Sequence, residues 1–253
     1  MIDKQPNLNQ YLNVFKSQLA TEKGEQTRNV ILDHALRLFR EYGIDATTMR
    51  DIASAAGLAL GAAYYYFPSK EAIVLAYYNR VQSEHTRLMT DALQNDNLGL
   101  KERLRMLLHT KLDILRNDRK LLGGLFRYTG DPEHSLSVLG KGTELCRQDS
   151  VTTIMQAIGD ERLPDDVRQL LPAALWALQM GILLFFIYDS SPDQRRTRKL
   201  IDGSMDLAMH LLTVVKSALF KPVRGRLLSL LRDVDLLPIY NFAPVYQNAE
   251  ETQ

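Results

Sequence analysis

Cysteine is almost missing: Cys146 is the only one in 253 residues. A lone thiol excludes a disulfide framework within the chain and any multi-cysteine zinc site, and it fits a reducing compartment. Net charge is equally scarce, with 31 Lys and Arg against 30 Asp and Glu, a formal +1. No broad positive field draws such a chain to phosphate, so a nucleic-acid reading has to rest on local pattern. The sequence also has no convincing strand, no internal repeat and no low-complexity tract. Its start, where Asp3 and Lys4 precede polar residues, has no apolar stretch like a secretion signal, which predicts a cytoplasmic protein. Enzyme signatures are missing as well. There is no GxSxG elbow, no GxxxxGK-S/T phosphate loop and no HExxH pair, and Gly140-Lys141-Gly142 lacks the third glycine of a dinucleotide fingerprint. His85, His109 and His134 have no metal-ligand spacing. We therefore expect no enzyme, no cofactor and no metal.

What is present is a 45% hydrophobic composition that can bury a sizeable core. From Leu170 to Tyr188 nineteen residues carry no charge, a length that can cross a bilayer. Pro172, Gln179 and the want of a second such run favour instead a helix apolar all round, at the centre of a core or a dimer. Residues 1–24 are polar and without sustained period, which predicts a mobile or lightly helical N-terminal extension from which Tyr11, Leu12 and Phe15 can dock. From Glu25 a helical period begins, Val30, Ile31, Ala35, Leu38, Phe39 and Tyr42, and Gly43 ends it. Thr47 or Thr48 caps a short second helix that Gly57 stops. A third short helix runs to Phe67 before Pro68, and Ser69 caps a long fourth. Further helices are read at Lys101 to Arg116, at Arg119 to Tyr128 with a break at Gly123-Gly124, and in two pieces from Leu136 to Ile158. Another opens at Pro164, and the next runs from a capping box at Ser191-Pro192-Asp193-Gln194 to about Phe220. Leu227, Leu228, Leu230 and Leu231 suggest one more short helix, and Pro238 and Pro244 punctuate a tail. The class is all-α.

The stretch from Thr47 to Lys70, TTMRDIASAAGLALGAAYYYFPSK, has the spacing of a helix-turn-helix. Its first helix braces on the DNA backbone while the second turns its outer face to the major groove. Ile52, Leu58, Ala63 and Phe67 form the small core. Leu60, Gly61, Ala62, Tyr64, Tyr65 and Tyr66 point outward, with Thr48 and Lys70 at the margins.

Together, Tyr42-Gly43, Thr47-Thr48, Ile52-Ala53, Ala56-Gly57-Leu58, Gly61, Tyr64, Phe67 and Lys70 stand in the order and spacing of the TetR (tetracycline-repressor-like) family of transcription factors, which the chain resembles from about Thr27 to Ala76. The resemblance implies an all-helical homodimer, each subunit joining an N-terminal three-helix DNA-binding domain, here 25–71, to a larger ligand-binding and dimerisation domain, here 72–220, before a tail of 221–253. It implies that Thr48 and Lys70 contact phosphate, that Tyr64 and Tyr66 lie against the backbone and that Arg50 reaches a base edge, where a guanidinium bonds bidentately to guanine. Leu60, Gly61 and Ala62 fall where the family varies specificity and are apolar here, suited to thymine methyls. Ala59 stands where the family often has a capping hydroxyl, a loss of about 1 kcal/mol at that helix start.

Between Thr21 and Arg80 seven basic residues (Lys23, Arg28, Arg37, Arg40, Arg50, Lys70, Arg80) meet seven acidic ones (Glu22, Glu25, Asp33, Glu41, Asp45, Asp51, Glu71). Operator affinity must then come from positioned cations, hydroxyls and helix N-termini, and from two subunits binding together. The helices at 165–189 and 192–220 are the expected dimer bundle. Met106, His109, Phe126, Tyr128, Trp176, Gln179 and Met180 are the candidate ligand contacts, for a small and largely apolar effector, against an ordinary core reading for each. Cys146 is read as a buried small hydrophobe or a redox sensor, and Arg195, Arg196, Arg198 and Lys199 as a solvated face or a partner surface. The resulting expectation is a repressor that binds a palindromic DNA operator and is released by its effector. The alternative is a helical scaffold or lipid-binding module without specific DNA binding.

Overall fold

A computed structural model describes residues 8–94, 98–131 and 134–234. Among them ten α-helices follow one another without a strand: α1 (Leu8–Tyr42), α2 (Met49–Ala55), α3 (Leu60–Tyr66), α4 (Lys70–Leu93), α5 (Leu100–Leu115), α6 (Arg119–Phe126), α7 (Glu144–Ile158), α8 (Asp165–Tyr188), α9 (Arg195–Val215) and α10 (Lys221–Asp233). The expected all-α class holds. The chain divides into two compact units, Met1–Tyr77 and Tyr78–Gln253, and α4 runs through the division. The side chains of Tyr11, Leu12 and Phe15 are not among those described, and the tail with Pro238 and Pro244 lies outside the described residues.

In the first unit Ile31, Leu32, Ala35, Leu36 and Phe39 line one face of α1 at helical spacing and are buried with Ile52 and Ala53 of α2, Ala63 of α3, and Ile73, Val74 and Tyr77 of α4. Helix α1 begins at Leu8 and not at Glu25. Between Leu8 and Gly24 no proline or glycine interrupts a run rich in good helix formers, and Gly24 is tolerated inside the helix. Gly43, at φ +87°, ends α1 as expected.

The second unit packs α5 against α7 and α9, and α8 against α6, α7, α9 and α10. Its core is built from Leu104, Leu108, Leu112 and Leu115 of α5, Val151 and Ile154 of α7, Leu175, Ile182 and Phe186 of α8, and Ile201 and Met205 of α9. Helix α8 is long and apolar enough to cross a membrane, but it also buries one side in this core. Helix α6 passes through Gly123-Gly124 without the expected break; a Cβ at Gly123 would come within 3.3 Å of Ile187, so the glycine lets α6 approach α8 closely. Residues 136–140 form turns, and the helix before Ile158 starts at Glu144.

The α8–α9 connection departs from the expected capping box. Asp193 and Gln194 both adopt left-handed backbone (φ 51° and 52°), so Gln194 cannot serve as the third residue of a helix. The buried Asp189 carboxylate takes that place, accepting from the Ser191 amide and hydroxyl (2.9 and 2.6 Å) and from the Thr197 amide and hydroxyl (2.8 and 2.7 Å). Burial opposes its ionisation, but these hydrogen bonds outweigh burial and hold the carboxyl well below the usual range.

Helix α9 stops at Val215 and not near Phe220. Buried Arg224 of α10 closes its end, donating to the carbonyls of Val215 and Ser217 and to Asp166 Oδ2 at 2.7 Å.

Asp189→Asn should cost about 1–2 kcal/mol at neutral pH, measured by urea unfolding. The wild-type contribution is complete above the unfolded carboxylate value of about 3.9 and is lost as pH falls toward the lower folded value. The midpoints of wild type and variant should therefore converge on acidification.

Candidate nucleic-acid interface

Helix α2 starts with a closed capping box. The Thr48 amide donates to Asp51 Oδ2 at 2.8 Å, and the Asp51 amide donates to Thr48 Oγ1 at 3.2 Å. Hydrogen bonds from the Thr48 hydroxyl and amide hold the Asp51 carboxyl below its ordinary range. Thr47, the other candidate cap, is buried and donates its hydroxyl to the Gly43 carbonyl at 2.8 Å. Arg50, between buried Met49 and the Asp51 cap, is exposed.

The turn after α2 is a Schellman motif. Gly57 at φ +68° lets its own amide reach Ser54 O (3.1 Å) and the Leu58 amide reach Ala53 O (2.9 Å). Ala59 then begins α3 in extended backbone with no side-chain cap, as its missing hydroxyl dictates. Ala63 and Phe67 are buried with Ile52, whereas Leu58 is only half-buried. The Arg28 guanidinium lies 4.7 Å over the Phe67 ring. Of the six outward candidates, Gly61, Tyr64 and Tyr65 are exposed, and Leu60, Ala62 and Tyr66 are half-buried. Tyr65, 82% exposed, meets Tyr66 edge-on with ring centroids 5.1 Å apart.

Lys70 has a role that spacing did not reveal. Its ammonium donates to the carbonyls of Ile44 at 2.6 Å and Thr47 at 2.9 Å, tying the start of α4 to the α1–α2 loop. Two of its three N–H groups are thereby committed within the protein.

The ligand candidates of the second unit separate. His109 Nε2 is 2.9 Å from Asp202 of α9, which Arg105 also binds, so His109 serves the α5–α9 seam. Tyr128 stacks on His134 with centroids 4.2 Å apart. Met106, Phe126 and Met180 are half-buried, and Trp176 and Gln179 are buried on α8. The amide of Gln179 donates to Ser150 Oγ at 3.2 Å, and its Oε1 has no partner.

Sequence reasoning missed the neighbouring polar group. Lys111 is buried within the leucine face of α5 and donates to Gln82 Oε1 at 2.8 Å. The Gln82 amide in turn reaches the hydroxyls of Thr86 (3.1 Å) and Thr153 (3.2 Å). Burial pushes Lys111 down to about 8, which leaves it charged at neutral pH. Burial, helped by the Lys111 charge, pushes His85 down to about 3, so its ring is neutral. His85 Nε2, 2.9 Å from the Leu107 carbonyl, must then carry the hydrogen, leaving Nδ1 as an acceptor without a partner. Burial raises the nearby Cys146 thiol, so it too is neutral. A readable signal did exist: Lys111 interrupts the series Leu104, Leu108 and Leu115 at helical spacing.

Residues 31–77 match the family model of bacterial regulatory proteins of the tetR family, and residues 103–223 match that of the tetracyclin repressor-like C-terminal domain. The HTH-type transcriptional repressor KstR2 of Rhodococcus jostii is 53% identical over 47 residues, 19% of this chain and 23% of that protein. The chain thus matches less than a quarter of that repressor's length. An uncharacterized HTH-type transcriptional regulator of Mycobacterium tuberculosis is 30% identical over 180 residues, covering 70% of this chain and 84% of the other. The crystal structure of a TetR transcriptional regulator from Nitrosomonas europaea shares the fold with a TM-score of 0.57 at 21% identity, over 72% of this chain and 97% of that one.

The two glycines of this region should respond oppositely to alanine. At Gly57 nothing within 4 Å would meet a Cβ, so the cost is that of the left-handed backbone, about 1–2 kcal/mol. At Gly61, equally open but inside α3, alanine should stabilise by about 0.5–1 kcal/mol. Denaturant unfolding of both variants checks the contrast.

Proposed function

Because the chain belongs to the tetR family of bacterial regulatory proteins, we propose that this DNA-binding transcriptional regulator acts as a cytoplasmic repressor, gripping a palindromic operator as a homodimer until a small molecule releases it. The observation that carries the reading is the α2–turn–α3 unit, with Arg50, Tyr64 and Tyr65 exposed beside a capped helix start.

Arg50 is the direct reader of a base edge. Thr48, Tyr64, Tyr66 and the remaining N–H of Lys70 serve phosphate, while Leu60, Gly61, Ala62 and Tyr65 form the rest of the groove-facing surface. With the region near neutral, such placed contacts have to supply the affinity.

The dimer reading is supported by two uncharged, exposed faces. Helix α8 presents Ala174, Ala177, Gly181, Leu184, Phe185 and Tyr188, and α9 presents Leu200, Gly203, Leu207, Leu211 and Val214 at steps of three and four. Small residues on both faces permit close helix approach in a four-helix bundle about a two-fold axis. The effector binds the second unit and shifts the population toward a form that does not hold DNA, with α4 as the element common to both units.

Arg50→Ala and Tyr64→Ala should each weaken operator binding about 10- to 100-fold without changing the unfolding curve. A gel shift on genomic fragments selected by the purified protein tests this, and undiminished affinity in both variants would reject the assignment. Leu207→Glu should place a charge in the paired face and yield a monomer by light scattering, with loss of tight operator binding.

A further inference from the structure

The polar group inside the second unit is unbalanced in a particular way. Lys111, only 5% exposed, donates to the neutral oxygen of Gln82, and among the described residues no carboxylate is paired with it. A buried ammonium without a counter-charge is costly, and natural cores retain one when something else completes it. Two further groups in the same interior are incomplete: His85 Nδ1 and Gln179 Oε1, on residues 0% and 4% exposed, lack hydrogen-bond partners. Lys111 and Gln179 are joined by way of α7. Lys111 reaches Gln82, Gln82 reaches Thr153 of α7, and Ser150, one turn before Thr153, binds Gln179 of α8. On this face of α7 the polar residues are small, Ser150 and Thr153 with Cys146 one turn earlier. Leu104, Leu107, Leu108, Ile154 and Trp176 supply buried apolar surface on the same helices.

We propose that Lys111 is the anchor of the effector site and that the effector is a monocarboxylic acid with an apolar body. Its carboxylate pairs with the Lys111 ammonium, and a hydroxyl or N–H on the effector, where it has one, donates to Gln179 Oε1 or His85 Nδ1. A single buried cation, with no arginine beside it in the group, suits one negative charge and not a phosphate. This inference rests on the reading of the protein as an effector-controlled regulator and narrows the effector's chemistry.

Trp176, the only tryptophan, lies three residues before Gln179 and reports on binding through its emission. Hexanoate, octanoate, dodecanoate and benzoate should be titrated against the full-length protein, each beside its primary amide. At least one acid should bind about tenfold or more tighter than its amide, the discrimination of a charge-assisted hydrogen bond. Lys111→Met should bring that ratio to about one while the variant stays folded. Lys111→Gln, which keeps a donor toward Gln82 and drops the charge, is the second variant should methionine not fold. A merely structural lysine would alter stability and leave the acid-to-amide ratio unmoved. The inference is overturned if no acid binds, if acids and amides bind alike, or if both variants keep the preference. Retention of selected genomic DNA by the same preparations separates the two readings. Lost DNA binding in the wild type counts against the regulator, whereas intact DNA binding without an acid preference counts against this site alone.

Discussion

An ammonium set on two backbone carbonyls holds the DNA-binding unit in register. Helices α2 and α3 are seven residues each, far too short to persist alone, so their geometry has to be imposed from their ends. Lys70 imposes it by joining the first residue of α4 to Ile44 and Thr47 across the loop that launches α2. The Thr48–Asp51 box, the Gly57 turn and buried Phe67 then need only local precision. A cation used in this way also takes one charge from a surface that has none to spare.

Sequence legibility followed the range of the interaction. Gly43, Gly57, Thr48 and Ser69 act on the backbone within a few residues, and their roles as stops and caps were readable from position. The outer face of α3 was readable for the same reason, except that Leu60, Ala62 and Tyr66 are partly covered by the fold. The start of α1 is not legible in the sequence, because a polar helix without breakers has no apolar period to announce it. Lys70 reaches its carbonyls across 26 and 23 positions, His109 reaches Asp202 across 93, and Gln82 reaches Thr153 across 71. No local pattern encodes such pairs. Lys111 is an exception in kind: it is a visible break in a leucine face, but long charged side chains usually reach out to water, so the break by itself does not announce a buried charge.

The same economy of charge marks the second unit. Arg105 and His109 share Asp202, Lys101 meets Asp206, Arg198 meets Asp113 and Arg224 meets Asp166, so four separate acidic residues hold α9 and α10 to their neighbours. Of these cations only Arg224 is buried, and it also closes carbonyls that a helix end would otherwise leave open. The exposed apolar residues of α8 and α9 make none of these pairs themselves.

Asp193 and Gln194 turn the chain through backbone that L-residues avoid, with Asp189 bonded around them. Asp193 is exposed and Gln194 half-buried. The α8–α9 corner is thus a store of unrelieved conformational energy held shut by one carboxylate. Substituting glycine at either position would discharge it, and the chain could then turn the corner with less need of its buried acid.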